Sequence, residues 1–211
     1  DGHLDPFSTT HAYAKAAKLG GAEIILRNKV KDLIYHKNGS WNVITEKGNI
    51  KTEHVVNAAG LWAREVGEMA GIYLPLHPME HQYLITEDIE EIARLSHELP
   101  HVIDPEGESY LRQEGKGICI GFYEQKCQTW GDEGTNWNFG HELLNNDFDR
   151  IEDSLNFSFK RFPTLKTVGI KKTINGPFTF APDGNPLVGP VPGLKNYWSA
   201  CAVMAGFSQA G

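Results

Sequence analysis

The 211-residue chain lacks several features that would place it in a common functional class. Its three cysteines, Cys119, Cys127 and Cys201, form no CxxC pair, and an odd number this small does not build a disulfide framework. We therefore expect reduced thiols and a reducing compartment. No apolar run approaches the roughly 18 residues that cross a bilayer, and the first residues do not have the pattern of a signal peptide.

Basic clusters and metal-ligand spacings are absent as well. The 20 Lys and Arg against 27 Asp and Glu give a formal charge of −7 with no basic block, so a nucleic-acid partner is not expected. The nine histidines show no HExxH or similar spacing, so no metal site is predicted, and the lack of GxSxG argues against an α/β-hydrolase. Five Trp, seven Tyr and ten Phe argue against disorder.

The sequence does contain alternating strand and helix patterns at both ends and a strand-rich middle. The predicted strands cover 22–26, 30–35, 41–46, 53–57, 76–86, 108–114, 118–123, 168–174 and 196–202. The predicted helices cover 10–19, 61–70, 87–99 and 143–162. These patterns together predict a mixed α/β fold.

Small residues follow the predicted strand 53–57, where Asn57-Ala58-Ala59-Gly60 leads directly into a helix. Small side chains at such a turn let the backbone approach a phosphate or a ring, and the start of a helix favours an anion. The alternative is a tight turn with close packing of helix on strand. Small residues also follow the last strand, up to Gly211. Because GxGxxG is absent, the two turns by themselves are weak evidence for a cofactor.

Glycine and proline are frequent in residues 176–190. They favour an extended, irregular path of the kind that lies along a ligand or another domain. On that path, Asp183 is placed to accept a hydrogen bond from a sugar or ribityl hydroxyl. The alternative is an ordinary Asp-Gly turn at the surface, formed by Asp183 and Gly184.

Two of the predicted strands carry candidate proton-handling side chains. Because side chains alternate along a strand, His81 shares a face with Tyr83, and Tyr110 shares a face with Arg112 and Glu114 on the next strand. If the strands are neighbours, an imidazole and a phenol can relay or hold a proton beside an Arg that binds a carboxylate. The alternative is a partly buried histidine with Tyr and Arg at the rim of a sheet.

Several segments, in this order, resemble the FAD-dependent D-amino acid oxidase superfamily. They are Asp1-Gly-His-Leu-Asp-Pro6 before the Ala-rich helix, Gly21-Ala-Glu-Ile24, Val55-Val-Asn-Ala-Ala-Gly-Leu-Trp-Ala63, and Pro182-Asp-Gly184 in the Gly- and Pro-rich run. The dimethylglycine/sarcosine dehydrogenase branch is more similar still. Its motifs resemble Pro78-Met-Glu-His-Gln-Tyr83, Tyr110-Leu-Arg-Gln-Glu114 and Gly121-Phe-Tyr-Glu124. The likeness covers nearly the whole chain.

The resemblance implies a partial FAD-binding, Rossmann-like domain at 1–75. It also implies an antiparallel-sheet substrate-binding domain of the D-amino acid oxidase type at 76–175, and a return to the FAD-binding domain at 176–211. In this family the GxGxxG motif, its acidic partner and any covalent flavin–histidine attachment lie upstream of Asp1, and a folate-binding portion lies downstream. The chain is therefore expected to be a piece of a longer enzyme with an incomplete pyrophosphate site. Whether it retains FAD alone stays open.

The activity that the resemblance implies is oxidation of the C–N bond of an N-methylated amino acid by hydride transfer to flavin. It places His81 and Tyr110 at the substrate, whereas Arg112 as a clamp for the substrate carboxylate follows from strand alternation alone. The backbone of Val30 is expected at the adenine. The other residues expected to contact FAD are Ala58, Ala59, Gly60, Trp62, Asp183, Gly206, Phe207, Ser208 and Gln209.

Two other interpretations are kept open. One is a different flavoenzyme of the superfamily, of the D-amino acid oxidase or glycerol-3-phosphate dehydrogenase type. The other is a regulatory or scaffold relative without turnover, which the presence of both His81 and Tyr110 argues against. The expected partners are a small amine substrate and an electron acceptor, either oxygen or an electron-transfer flavoprotein. The expected location is the cytoplasm, or the mitochondrial matrix if the source is eukaryotic.

Overall fold

The computed structural model describes residues 4–140 and 142–204, which divide into two compact units. Among these residues, unit 1 contains 79–130 and 138–178, and unit 2 contains 4–78, 131–137 and 179–204. The predicted domain boundaries at 75/76 and 175/176 stay predictions. The predicted roles of these regions in binding substrate and cofactor stay predictions.

The strands are β1 (Val30–Tyr35), β2 (Trp41–Thr45), β3 (Gly48–Thr52), β4 (Val55–Asn57), β5 (His77–Thr86), β6 (Val102–Asp104), β7 (Ser109–Glu114), β8 (Gly117–Phe122), β9 (Ile170–Phe180), β10 (Leu187–Pro190) and β11 (Tyr197–Cys201). The α-helices are α1 (Pro6–Leu19), α2 (Ala63–Met69), α3 (Glu90–Ala93) and α4 (Phe148–Arg161). Short 3₁₀ helices cover Gly60–Trp62 and Pro163–Lys166. The mixed α/β fold class is confirmed.

Unit 1 is built on a five-stranded sheet with the order β6–β7–β8–β5–β9. The pairs β6–β7, β7–β8 and β5–β8 are antiparallel. One face of this sheet is buried in an apolar core that includes Leu84, Leu111 and Ile120 from the strands and Ile151 from α4. Burial of one face fixes the register, because a shift by one residue would turn every apolar side chain toward solvent.

Capping residues and a proline determine where α4 begins and ends. The Asp147 carboxylate accepts a hydrogen bond from the Arg150 N–H at the first turn, and Lys160 and Arg161 lie in the last turn, where the helix dipole favours cations. Pro163 follows and cannot continue the helix. The predicted helix 143–162 is thus correct in its body, but it begins at Phe148 because Asp147 supplies the cap.

Unit 2 contains two small sheets. The strands β1, β2 and β3 form an antiparallel meander, and β10, β11 and β4 form a second sheet in which β11 and β4 are parallel. Trp41 and Tyr197, both fully buried, pack with ring centroids 5.6 Å apart. The meander and β11 therefore share one apolar cluster, which also contains Leu33.

Several predicted elements differ from the structure. Residues 22–26 form no strand, and Ile25 and Leu26 are exposed, because no described strand offers them backbone partners. The acidic segment 87–99 contains only the four-residue α3. The strand predicted at 168–174 runs on to Phe180 and includes Pro177, so the first part of the Gly- and Pro-rich run is regular.

The described helices are short. None of the helices in residues 4–140 and 142–204 is long and apolar enough to cross a bilayer. The longest of them, α1 and α4, have 14 residues each. A bilayer-spanning helix needs about 20.

Replacing Ile151 by Ala tests the unit 1 core. Ile151 is fully buried, so Ile151→Ala should lower the free energy of unfolding by roughly 2–5 kcal/mol, measured by urea denaturation. The matched control is Ile103→Ala in β6, where the side chain is 61% exposed and the loss should stay below about 1 kcal/mol. Equal losses at the two positions would show that this core does not depend on α4.

Candidate functional site

The turn that follows β4 lies at the carboxyl end of a parallel strand, the place where α/β sheets bind ligands. Ala58 and Gly60 are exposed there, and Gly60 has a φ of +57°, a backbone conformation that glycine adopts without strain. A Cβ at Gly60 would meet no atom of the described chain within 4 Å. The turn therefore presents open backbone and small side chains to a ligand.

Asn57 braces this turn from inside. Its side chain is buried, and Nδ2 donates to the Ala63 carbonyl at 2.8 Å and to the Tyr197 hydroxyl at 3.0 Å. Oδ1 accepts from the Ala59 N–H at 3.2 Å. One amide thus ties β4, the turn, α2 and β11 together, which holds the exposed backbone in place.

The segment 131–137 covers the start of α2 within unit 2. Arg64, which is buried, donates from Nη2 to the Gly131 carbonyl at 2.7 Å, and Glu65 Oε1 accepts from the Thr135 N–H. Thr135 donates in turn to the Leu61 carbonyl at 2.9 Å, and the Trp62 indole donates to the Asn136 carbonyl at 3.1 Å. No sequence pattern in this segment indicated these contacts with α2.

The end of β11 lies at the same edge of the sheet as the turn after β4, since the parallel pairing sets Ser199 opposite Asn57. Ala59, Ala181 and Ala202 pack in one cluster, so the turn, the Gly- and Pro-rich run and the end of β11 come together. Gly206, Phe207, Ser208 and Gln209, which were predicted to contact the cofactor, lie outside the described residues.

Asp183 forms the surface turn that was one of its two predicted roles. Its carboxylate accepts from the Asn185 N–H at 3.0 Å, and this bond lowers the pKa of Asp183. Val30 lies at the start of β1 and packs at the edge of the cluster around Trp41. A contact of either residue with a cofactor stays a prediction.

In unit 1, the second face of the sheet carries the predicted polar side chains. The register sets both Tyr83 of β5 and Tyr110 of β7 opposite Gly121 of β8, so the three form one row across the sheet. A second row contains Ile85, Cys119 and Arg112. The predicted sharing of faces along β5 and β7 is therefore correct.

The expectation that the His81 and Tyr110 strands are neighbours is wrong, because β8 lies between β5 and β7. Gly121 compensates for the added distance. A Cβ at Gly121 would collide with Cζ of Tyr110, so the phenol ring lies directly over the glycine of β8. An isolated glycine in an apolar strand is a known sign of such a close approach. The sequence therefore contained a signal that was not used.

Burial shapes the protonation of this face. It raises the pKa of Tyr110 to about 12, with smaller contributions from neighbouring groups, so the phenol stays neutral and can donate a hydrogen bond at physiological pH. Burial also raises the pKa of Tyr83 and of Tyr123, whose ring centroid lies 5.6 Å from that of Tyr110. Cys119 behaves in the same way, and burial raises the pKa of its thiol.

His81 is half-buried and its imidazole packs edge-on against Phe178, with ring centroids 4.8 Å apart. Burial is the main cause that lowers the pKa of His81, and backbone groups at Phe122 and Glu80 oppose it. The Nδ1 atom is buried and forms no hydrogen bond with the part of the chain that the structure describes. A neutral imidazole with an unused nitrogen is suited to accept a proton.

Arg112 forms an ion pair with Glu114, two residues along β7. The guanidinium is half-buried on the same face as Tyr110. A substrate carboxylate would therefore have to share Arg112 with Glu114, or displace Glu114 from Arg112. The role of Arg112 as a carboxylate clamp stays a prediction.

A cavity of about 460 Å³ in unit 1 lies elsewhere, at the edge of the apolar core. Its lining includes Ile92, Val102, Phe162 and Leu165, and Arg112 is at its rim, but His81 and Tyr110 do not line it. Across residues 4–140 and 142–204, no three His, Cys, Asp or Glu side chains are grouped as a metal site requires. The candidate chemistry of unit 1 is thus concentrated on the sheet face.

A model of the family described as FAD dependent oxidoreductase, abbreviated DAO, matches residues 1–211. The chain is 43% identical over 216 residues to mitochondrial dimethylglycine dehydrogenase of Mus musculus. It is 36% identical over 218 residues to mitochondrial sarcosine dehydrogenase of the same organism. Both matches cover 100% of this chain but only 25% and 22% of the relative. The chain therefore spans about a quarter of the length of these curated relatives.

Among solved structures, L-proline dehydrogenase from P. horikoshii is similar, with a TM-score of 0.79 and 31% sequence identity. The match covers 98% of this chain and 52% of that one. The likeness thus extends over both units of the chain.

Replacing Gly121 by Ala tests the close approach of Tyr110. The added Cβ would collide with the Tyr110 ring, so Gly121→Ala should displace the phenol toward solvent and lower its pKa from about 12 toward its ordinary value near 10. The titration can be followed by NMR on protein labelled with ¹³C at the tyrosine ring.

The control for that substitution is Gly140→Ala, where a Cβ would meet no atom within 4 Å. This variant should leave the Tyr110 titration as in the unsubstituted protein. An unchanged Tyr110 pKa in Gly121→Ala would contradict the stated packing.

Proposed function

The chain belongs to the DAO family of FAD-dependent oxidoreductases, and from that membership we propose that the complete protein oxidises the C–N bond of an N-methylated amino acid. The substrate is of the dimethylglycine or sarcosine type, in line with the two dehydrogenases to which the chain is similar. The observation that carries the proposal is the neutral imidazole and phenol face of unit 1, formed by His81, Tyr83 and Tyr110.

The exposed turn of unit 2 suits a dinucleotide. The backbone around Gly60 is open and its position is held by Asn57, as a close approach to a phosphate or ring requires. In the proposal, Ala58, Ala59, Gly60 and Trp62 line the FAD dinucleotide, Val30 meets the adenine through its backbone, and Asp183 and residues 206–209 approach the ribityl chain and flavin. When bound, FAD supplies the acceptor for the hydride that leaves the carbon beside the amine nitrogen.

The sheet face of unit 1 prepares the amine. Only a neutral amine gives up hydride readily, so the enzyme benefits from a group that accepts the ammonium proton. Burial lowers the pKa of His81, so its imidazole is neutral and can serve as that acceptor at neutral pH. Tyr110, kept neutral by burial, donates a hydrogen bond that orients the substrate, and Arg112 pairs with its carboxylate.

The proposal extends to the electron acceptor and the location. The electron acceptor of the complete protein would be either oxygen or an electron-transfer flavoprotein, and the similarity to two dehydrogenases favours the second. Both relatives are named as mitochondrial proteins. We accordingly assign the protein to the mitochondrial matrix in a eukaryotic source and to the cytoplasm in a bacterial one.

The likeness to L-proline dehydrogenase favours a second candidate, in which the substrate is a cyclic secondary amine. Anaerobic mixing of the complete protein with dimethylglycine, sarcosine or L-proline, followed by flavin absorbance, separates the candidates. Bleaching by an N-methyl amino acid supports the first and bleaching by L-proline alone supports the second. No response to any amine would favour a relative without turnover.

Replacing Asn57 by Ala tests the FAD site. The change leaves the Ala63 carbonyl and Tyr197 hydroxyl without their donor, so Asn57→Ala should loosen the turn and weaken FAD retention about tenfold, or ~1.4 kcal/mol. Flavin content of the purified complete protein gives the readout. The exposed Asn49→Ala is the control and should keep full flavin content. Normal flavin in Asn57→Ala would argue against this turn as the cofactor site.

Replacing His81 and Tyr110 tests the substrate site. In the complete protein, His81→Gln should lower kcat/KM for the N-methyl amino acid by about 10²-fold or more through loss of the proton acceptor. Tyr110→Phe, which keeps the ring over Gly121, should cost less, about tenfold. The control is His97→Gln, at an exposed position, and it should leave kcat/KM unchanged. Unchanged turnover in both site variants would exclude this assignment.

A further inference from the structure

The two residues that flank His81 in β5 are both tied to the segment that leads into α4. Glu80 Oε2 accepts from Asn175 Nδ2 at 2.9 Å and lies 3.3 Å from Arg150 Nη1. Gln82 exchanges two hydrogen bonds with the backbone of Asp147, at 2.8 and 2.7 Å. The backbone on either side of the imidazole is therefore held by directed polar contacts rather than by apolar packing alone.

The same contacts reach β9, which carries the ring that packs on His81. Asn175 Nδ2 donates to the Asn145 carbonyl at 2.6 Å as well as to Glu80. Three residues further along β9, Phe178 makes the edge-on contact with the imidazole. Glu80 and Asn175 therefore connect the two strands that hold His81 in place.

Arg150 is the one cation of this buried cluster within the described chain. Its side chain is 10% exposed, and Nε lies 3.2 Å from Glu124 Oε2 and 3.4 Å from Asp147 Oδ2. The Glu124 side chain is 1% exposed. Burial raises the pKa of Glu124, and Arg150 and Gln82 oppose that shift.

A buried cluster of charges of this kind contributes little to the stability of a fold. None of the Arg150 nitrogens makes a directed hydrogen bond with the described chain, and neither do the Glu124 oxygens, so the contacts are charge pairs without ideal geometry. Buried ion pairs with imperfect hydrogen bonding often stabilise a fold less than apolar side chains of the same size. The placement beside His81 gives these charges another role.

We propose that Arg150, together with Glu80 and Glu124, positions His81 for the amine oxidation. The cluster fixes the strand on both sides of the imidazole and presents a positive charge behind it. This inference rests on the proposed function, because the imidazole is assigned there as the proton acceptor. Arg150 is a positioning residue, since it acts through β5 and through its charge.

The charge of Arg150 also affects the protonation of the imidazole. The charged and titratable groups on the elements near His81 are Glu80 beside it in β5, the partners of Arg150 (Glu124 after β8 and Asp147 before α4), and the phenols of Tyr83 in β5 and Tyr123 after β8. After burial, Arg150 is the side chain that lowers the pKa of His81. Its removal leaves the carboxylates uncompensated, and both changes favour the protonated imidazole.

The test compares Arg150→Gln with Arg150→Lys in the complete protein. Arg150→Gln should raise the pKa of His81, followed by NMR on protein labelled with ¹³C-histidine, with the signal assigned through His81→Gln. It should also lower kcat by about tenfold or more with little change in KM. Arg150→Lys keeps the charge, so the pKa of His81 and most of kcat should remain as in the unsubstituted protein.

The matched control is Arg161→Gln, at the other end of the same helix. Arg161 also contacts two carboxylates, Asp104 at 3.1 Å and Glu106 at 2.8 Å, but it does not approach β5 through any described contact. Its loss should lower stability without moving the pKa of His81. If Arg161→Gln shifts that pKa as much as Arg150→Gln does, the effect is structural and the inference fails.

A double variant covers the case in which Arg150→Gln does not fold. Arg150→Gln with Glu124→Gln removes both buried charges of the closest pair, so neither is left unpaired. The pKa of His81 should still rise. An unchanged pKa together with unchanged kcat in either variant would overturn the inference. Absence of turnover with every N-methyl amino acid would instead refute the proposed function, while the NMR titration would still decide the role of Arg150.

Discussion

Burial of one face of the unit 1 sheet against α4 determines where every polar side chain of that sheet lies. Leu84, Leu111 and Ile120 must face the core, and alternation then places Tyr83, Tyr110 and Gly121 in one row on the opposite face. The apolar contacts therefore determine the register of the strands, and the register determines which side chains form the candidate site. A slip of one residue would bury the phenols and expose the core.

In unit 2, the backbone of the turn after β4 is held in place although it stays exposed. The turn after β4 uses small side chains that cannot anchor themselves, so the anchoring comes from residues behind it. Asn57 supplies three hydrogen bonds from within, and Arg64, Glu65 and Thr135 hold the segment 131–137 against the start of α2. Rigidity is thus provided by buried polar groups, and the backbone of the turn stays exposed.

Burial has the largest influence on the protonation of the unit 1 face, and two cations modify it, Arg112 at the phenols and Arg150 at the imidazole. Desolvation keeps the phenols protonated and the imidazole neutral, because each charged form loses contact with water. Arg150 acts in the same direction on the imidazole from behind the strand. The same face also carries the cation Arg112, so it combines neutral hydrogen-bonding groups with one positive charge.

The sequence by itself determined the family, the mixed α/β class and which residues of β5 and β7 share a face, since order of motifs and alternation are local properties. Only the tertiary structure decided that β8 separates His81 from Tyr110, that Gly121 makes room for the phenol, and that Arg150 contacts Glu80 next to His81 in β5. Strand order and buried charge pairs join residues far apart in the chain. No local pattern specifies which distant partner completes them, because that choice depends on packing of the whole core.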